Sequence, residues 1–215
     1  MKELKIKICG MKDAHNIAAV IRLNPDYMGF ILYDQSPRHV TLKEAARLVK
    51  NIPSPVKKAA VLVNETIDNA LGIAETGIFD ILQLHGDESP DYCRRLSLQI
   101  PVIKAFRISK ALPGNMKEYE PFCSMFLFDS AGKKFGGTGK KFDHGILSGY
   151  DLNTEFILSG GITENDADNI KSSGLNKMAG VDLNSRFEVA PGIKNICMLQ
   201  NFIEKFRKND DNDRR

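Results

Sequence analysis

Apolar residues run through this chain in two alternating patterns: short, nearly continuous runs, and longer stretches where apolar positions recur at helical spacing. The short runs are 4–9 (LKIKIC), 27–32 (YMGFIL), 59–63 (AAVLV), 81–85 (ILQLH), 102–108 (VIKAFRI), 125–129 (MFLFD), 156–159 (FILS) and 177–183 (KMAGVDL). Helical patterns occupy 13–23, 89–96, a short piece near 116–119, 163–172 and 193–206. Two more helices are expected, one behind the capping box Thr41-Leu-Lys-Glu44 and one reaching Glu75 that Asn64 can cap.

Strands apolar on both faces and separated by helices predict a parallel sheet covered by helices. Eight such units in 215 residues favour a closed α/β barrel, a single (β/α)8 TIM barrel, over an open doubly wound sheet. No Pro-, Gly- or Ser-rich linker divides the chain. One catalytic domain is therefore expected over 1–207, with a charged tail at 208–215 (KNDDNDRR) expected to fray.

Composition changes this picture little. A hydrophobic fraction of 42% and a charged fraction of 27% are ordinary for a globular protein. A net charge of +3, with lysines and arginines spread along the chain, does not argue for a nucleic-acid partner. No apolar run approaches ~20 residues, so no membrane span is expected. The first residues run straight into a strand-like segment, and the chain is expected to be reduced, soluble and cytoplasmic. Cys9, Cys93, Cys123 and Cys197 show neither CxxC spacing nor a nearby His at a zinc-ligand interval, so no metal site is expected. The ordinary reading of the last three is a buried small hydrophobe.

In such a barrel, function sits at the C-terminal ends of the strands. The residues gathered there are Cys9, the loop 33–38, His85, Arg107, Asp129 with the loop after it, Gly160-Gly161, and 182–185. Gly160-Gly161 stands before a helical pattern, and Asn184-Ser185 ends the eighth strand. Exposed amides and a helix start suit a phosphate dianion, and the loops after strands seven and eight are the usual phosphate site of these barrels. Asp129, leaving an apolar strand, is expected to have a raised pKa suited to a general acid, against the alternative of a helix cap. The stretch Gly136-Gly137-Thr138-Gly139 between lysines is no P-loop, because Lys134 and Lys141 stand where Gly and Ser/Thr would be needed. A mobile lid fits it better.

Cys9 precedes Gly10 and lies near an expected helix start. A helix N-terminus and a nearby cation would lower its pKa, although spacing leaves a buried inert thiol equally open. Arg38 has a donor fork suited to a carboxylate or is a solvated loop arginine. His85 is open between a site residue and a structural donor. A nucleophilic Cys-His pair has no oxyanion motif or third orienting group to support it.

In this order the residues resemble the phosphoribosylanthranilate isomerase family: KICGMKD at 7–13, SPRHV at 36–40, LQLHGDE at 82–88, FLFDS at 126–130, GGTGKKFDH at 136–144, SGGIT at 159–163, and GVDLNSRFE…PGIKN from 180 to 195. The resemblance covers nearly the whole chain apart from the tail. It implies a small-molecule phosphoribosyl substrate, N-(5-phosphoribosyl)anthranilate, rearranged to 1-(2-carboxyphenylamino)-1-deoxyribulose 5-phosphate in tryptophan biosynthesis. It implies Asp129 as general acid, Cys9 as general base, and Arg38 as partner of the anthranilate carboxylate. Gly160, Gly161, Asn184 and Ser185 would hold the phosphate, with His85 and Asp182 in supporting, substrate-binding positions. No cofactor is implied, since the substrate's own amine is the electron sink. A monomer or a homodimer fits equally.

Where the family usually has a Ser-Ser-Gly-like turn, this chain reads Asn184-Ser185-Arg186, so Arg186 either points outward or adds a cation near the phosphate. Two other readings are weaker. A related phosphosugar barrel, such as indole-glycerol-phosphate synthase or the histidine-pathway isomerase, would need a Lys/Glu constellation or an Asp at the end of strand one. A non-catalytic barrel that binds a phosphometabolite would be expected to lose the acid or the base.

Overall fold

A computed structural model describes residues 3–132 and 142–208. Eight parallel strands close in sequence order: β1 (Lys5–Cys9), β2 (Tyr27–Ile31), β3 (Lys57–Leu62), β4 (Ile81–Leu84), β5 (Val102–Ile108), β6 (Met125–Ser130), β7 (Phe156–Leu158) and β8 (Met178–Leu183). β8 returns to β1 with Asp182 opposite Lys7, which makes the closed barrel expected from the alternation.

The two-residue period of each strand sorts the core into layers. Outward residues such as Ile6, Ile8, Met28, Phe30, Phe126 and Phe128 join the large cluster under the helices. Inward residues, among them Tyr27, Ala59, Ile81, Ile103, Leu127 and Ile157, fill the barrel as a separate apolar cluster. A small third cluster, Cys9, Ile31 and Val61, forms its own layer. The interior is therefore a packed plug, and the polar groups of the strand ends sit over it.

The helices are α1 (Ala14–Ile21), α2 (Leu42–Leu48), α3 (Ile67–Glu75), α4 (Pro90–Ser97), α5 (Ala167–Lys171) and α6 (Ile196–Arg207). Short 3-10 turns stand at Met116–Phe122 and His144–Gly149. Caps set most starts: Asp13 accepts from the Asn16 amide, Ser89 from Tyr92, Asn195 from Met198, and Thr41 with Glu44 forms the capping box. Among the described residues, no helix is long and apolar enough to cross a membrane.

Three expectations are corrected. Thr66, not Asn64, caps α3; Asn64 takes a positive φ of 51° and accepts from the Asp87 amide instead. The pattern at 163–172 is a 3-10 turn, Glu164–Asp166, followed by the five residues of α5. The pattern at 193–206 is helical only from Ile196, because residues 193–194 form β10 (Ile193–Lys194) against β9 (Glu188–Ala190). Residues 209–215 of the expected tail lie outside the described residues, while Lys208 ends α6.

Candidate active site

At the C-terminal mouth of the barrel is a cavity of about 700 Å³, open to solvent. The nine residues to which the resemblance gives roles all line it: Cys9, Arg38, His85, Asp129, Gly160, Gly161, Asp182, Asn184 and Ser185. Gln83, Tyr33 and Arg186 line it too.

Cys9 ends β1 with its thiol turned inward and 3% exposed. Lys7, two residues earlier on the same inward face, has no exposed side-chain surface; it donates to Asp182 Oδ1 at 3.0 Å, and its charge acts on the Cys9 thiol. The close approach depends on Gly29 across the strand pair, where a Cβ would stand 2.6 Å from Cys9 Sγ and 3.1 Å from Lys7 Nζ.

Of the two settings left open for Cys9, the lowering by a helix start and a cation does not prevail. Burial pushes Cys9 up, and the cations Lys7 and Lys194 offset only part of that. The helix start contributes little because α1 begins beyond Asp13, which already caps it. Burial also works against the Lys7 ammonium, but the attraction of Asp182 and Cys9 prevails and its pKa rises. Asp182 is raised by burial and by Asp129 facing it, against the pull of Lys7.

Asp129, at the end of β6, has polar company rather than the expected apolar setting. Its Oδ1 accepts from the Ser130 amide at 2.8 Å, and Oδ2 lies 3.2 Å from His85 Nε2 without hydrogen-bond alignment. His85 is oriented from behind by Gln83, whose Nε2 sits 2.9 Å from His85 Nδ1. With the Gln83 amide nitrogen donating to Nδ1, the imidazole presents Nε2 to Asp129. Gln83 Oε1 and His85 Nε2 are buried in the cavity wall without hydrogen-bond partners among the described residues. Such atoms are costly unless something polar meets them.

The glycine loop after β7 rests on backbone conformation. Gly160 and Gly161 have φ of 90° and 66°. A Cβ on Gly160 would also lie 2.3 Å from Ser130 Oγ and 3.1 Å from Asp129 Oδ1. Gly160 thus sits directly against the end of β6. The expected helix start beside it is only a 3-10 turn, and Thr163 N already donates to Asp166 at 2.6 Å. The anion-binding potential therefore rests on the loop amides and on Asn184-Ser185 rather than on a helix end. Arg186 is exposed and lines the cavity rim.

Arg38 is not a solvated loop arginine. Its Nε and Nη2 engage the Glu188 carboxylate at 2.6–3.0 Å. Glu188 also accepts from Lys194 Nζ at 2.7 Å, and Lys194 donates to Asn184 Oδ1 at 2.8 Å. Burial opposes the Glu188 charge, but Arg38 and Lys194 hold its pKa below the usual carboxylate value. Burial lowers Lys194 despite Glu188. Glu188 and Lys194 were not among the residues expected at the site; the turn pair Pro191-Gly192 between them was the available signal. Arg107 lies outside the cavity and pairs with Asp87. The expected lid, Gly136-Gly137-Thr138-Gly139, lies outside the described residues. Among those residues, no group of three or more His, Cys, Asp or Glu could hold a metal ion.

A profile of the N-(5'phosphoribosyl)anthranilate (PRA) isomerase family matches residues 6–205. The chain belongs to this family. Within phosphoribosylanthranilate isomerases, it is similar to that of Parabacteroides distasonis, with 42% identity over 206 residues covering 93% of this chain and 92% of the relative. It resembles the crystal structure of the isomerase from Thermotoga maritima, with TM-score 0.81, 28% identity, and coverage of 94% of this chain and 98% of that one. It also resembles an isomerase solved in complex with reduced 1-(o-carboxyphenylamino)-1-deoxyribulose 5-phosphate, with TM-score 0.78, 26% identity, and the same coverage of 94% and 98%. The chain is thus an isomerase of tryptophan biosynthesis on a TIM barrel.

Proposed function

We propose that the enzyme rearranges N-(5-phosphoribosyl)anthranilate to 1-(2-carboxyphenylamino)-1-deoxyribulose 5-phosphate by an Amadori mechanism, with Asp129 as acid and Cys9 as base. The observation that carries the reading is that Cys9 and Asp129, on β1 and β6, line one cavity together with a guanidinium and a pair of positive-φ glycines. An acid and a base that must reach different atoms of one sugar belong on different strands.

Asp129 gives its proton to the ribose ring oxygen. The C1–O bond breaks, and the anthranilate nitrogen lone pair closes a C=N bond. Cys9, as thiolate beside the Lys7 ammonium, removes the proton on C2. The C–H electrons form C1=C2, and the nitrogen regains its lone pair. Tautomerisation of this enolamine, with a proton added at C1 and lost from the C2 hydroxyl, leaves the ketone. Arg38 meets the anthranilate carboxylate, and Gly160, Gly161, Asn184 and Ser185 hold the phosphate. Asp182 fixes Lys7 under the thiol, and His85 stands against the acid. The amine is the electron sink, so the steps balance without a cofactor.

Loss of anthranilate-type substrate fluorescence follows the reaction directly. Cys9→Ser and Asp129→Asn should each lower the rate by about 10²–10⁴-fold. Wild-type rates in both variants would remove these assignments.

A further inference from the structure

Glu188 and Lys194, on the hairpin β9–β10, take no part in the proton transfers. Yet their side chains are nearly sealed from solvent, at 4% and 0% exposure. A guanidinium has two usable edges, and Glu188 occupies only the Nε–Nη2 edge of Arg38, with distances of 2.9, 3.0 and 2.6 Å. Arg38 Nη1 has no hydrogen-bond partner among the described residues, while Arg38 lines the cavity. The pair thus leaves one edge of the fork available.

Lys194 links this arm to the phosphate loop. It bridges Glu188 Oε1 at 2.7 Å and Asn184 Oδ1 at 2.8 Å. An ammonium only donates, so it engages the Asn184 carboxamide by its oxygen and leaves the amino group to meet a ligand. Arg38 and Asn184 also share a wall. Gly10 has φ of 78°, and a Cβ there would stand 2.6 Å from Arg38 Cδ and 2.8 Å from Asn184 Oδ1. The hairpin is itself fixed, since Gly192 N donates to Glu188 Oε1 at 3.0 Å and Lys194 N to Asn16 Oδ1 at 2.8 Å.

We propose that Glu188 is a positioning residue that sets Arg38 to receive the substrate's aromatic carboxylate, and that Lys194 ties this setting to the phosphate loop through Asn184. The proposal rests on the isomerase reading only for the identity of that carboxylate.

Equilibrium binding of the reduced product analogue tests it without requiring turnover. Glu188→Gln should weaken binding by about tenfold or more, the scale of a charge-assisted contact. The same change should cost no more than about twofold for the analogue that lacks the ring carboxylate. In an Arg38→Ala background it should add nothing, because Glu188 acts through Arg38. Glu188→Asp, which keeps the charge, should show the same selectivity in smaller measure and serves if Glu188→Gln does not fold. Equal losses for both analogues, losses that multiply with Arg38→Ala, or tighter binding in Glu188→Gln would each overturn the proposal. The last would mean that Glu188 competes with the substrate for Arg38. Wild-type enzyme that binds the analogue but leaves N-(5-phosphoribosyl)anthranilate unconverted would defeat the isomerase reading and leave the positioning claim to these outcomes.

Discussion

Gly29 owes its place to its neighbours rather than to its own backbone. It lies opposite Cys9 in the β1–β2 pair, and a methyl group there would intrude on both Sγ and Nζ of Lys7. Gly29→Ala should therefore displace the thiol from its cation and lower kcat by about 10- to 100-fold, the penalty of misplacing a reacting group. Inhibition by inorganic phosphate, which would report the proposed phosphate loop, should be unchanged in the same variant. At this scale the site was partly legible. Cys9, His85, Asp129 and Asp182 stood out because a barrel puts function at strand ends. Lys7, Gln83, Glu188 and Lys194 did not, because nothing in the local sequence marks the buried partner of a charged or amide residue. The sign of the Cys9 shift stayed open for the same reason: spacing reveals a nearby helix start but not the desolvation that outweighs it.

Individual elements hold these side chains through their own buried charges. The loop after β4 is clamped by Glu88, which accepts from the amides of Gly86 and Asn64 and from Lys104 Nζ at 2.9 Å. Lys104 in turn donates to Gly86 O at 2.8 Å. Both side chains are 2–3% exposed. Lys104→Met would leave Glu88 buried without its cation and should cost about 3 kcal/mol, read as a lower urea midpoint. An unchanged midpoint would show that the backbone amides suffice to hold the carboxylate. The barrel strands were readable because each is apolar on both faces and bounded by polar segments. The hairpin β9–β10 was not: five residues are too few to show a period, and Ile193 also fits the helical spacing of α6. Thr66 displaced Asn64 as the cap because Asn64 is drawn into the β4 loop by the Asp87 amide, a contact between segments far apart in the chain.

Across the whole molecule, closure of the sheet brings together groups that are far apart in sequence. Lys7 meets Asp182 only because β8 returns to β1, and the same closure lets Arg38, beyond β2, meet Glu188, beyond β8. The apolar plug beneath makes the mouth the natural place for buried polar chemistry, and desolvation there is the largest influence on the Cys9 thiol. The pH dependence of kcat/KM, which reports groups of the free enzyme, follows from the sign of that shift. A base works only when deprotonated, and burial raises the Cys9 thiol above its ordinary value of about 8.5. The rate should therefore climb with pH through an alkaline limb above that value. The most direct measurement is this profile for wild type and Cys9→Ser, followed by substrate fluorescence: the alkaline limb should be present in the wild type and absent from the residual activity of the variant, whereas a limb that survives unchanged in Cys9→Ser would assign proton abstraction to another group.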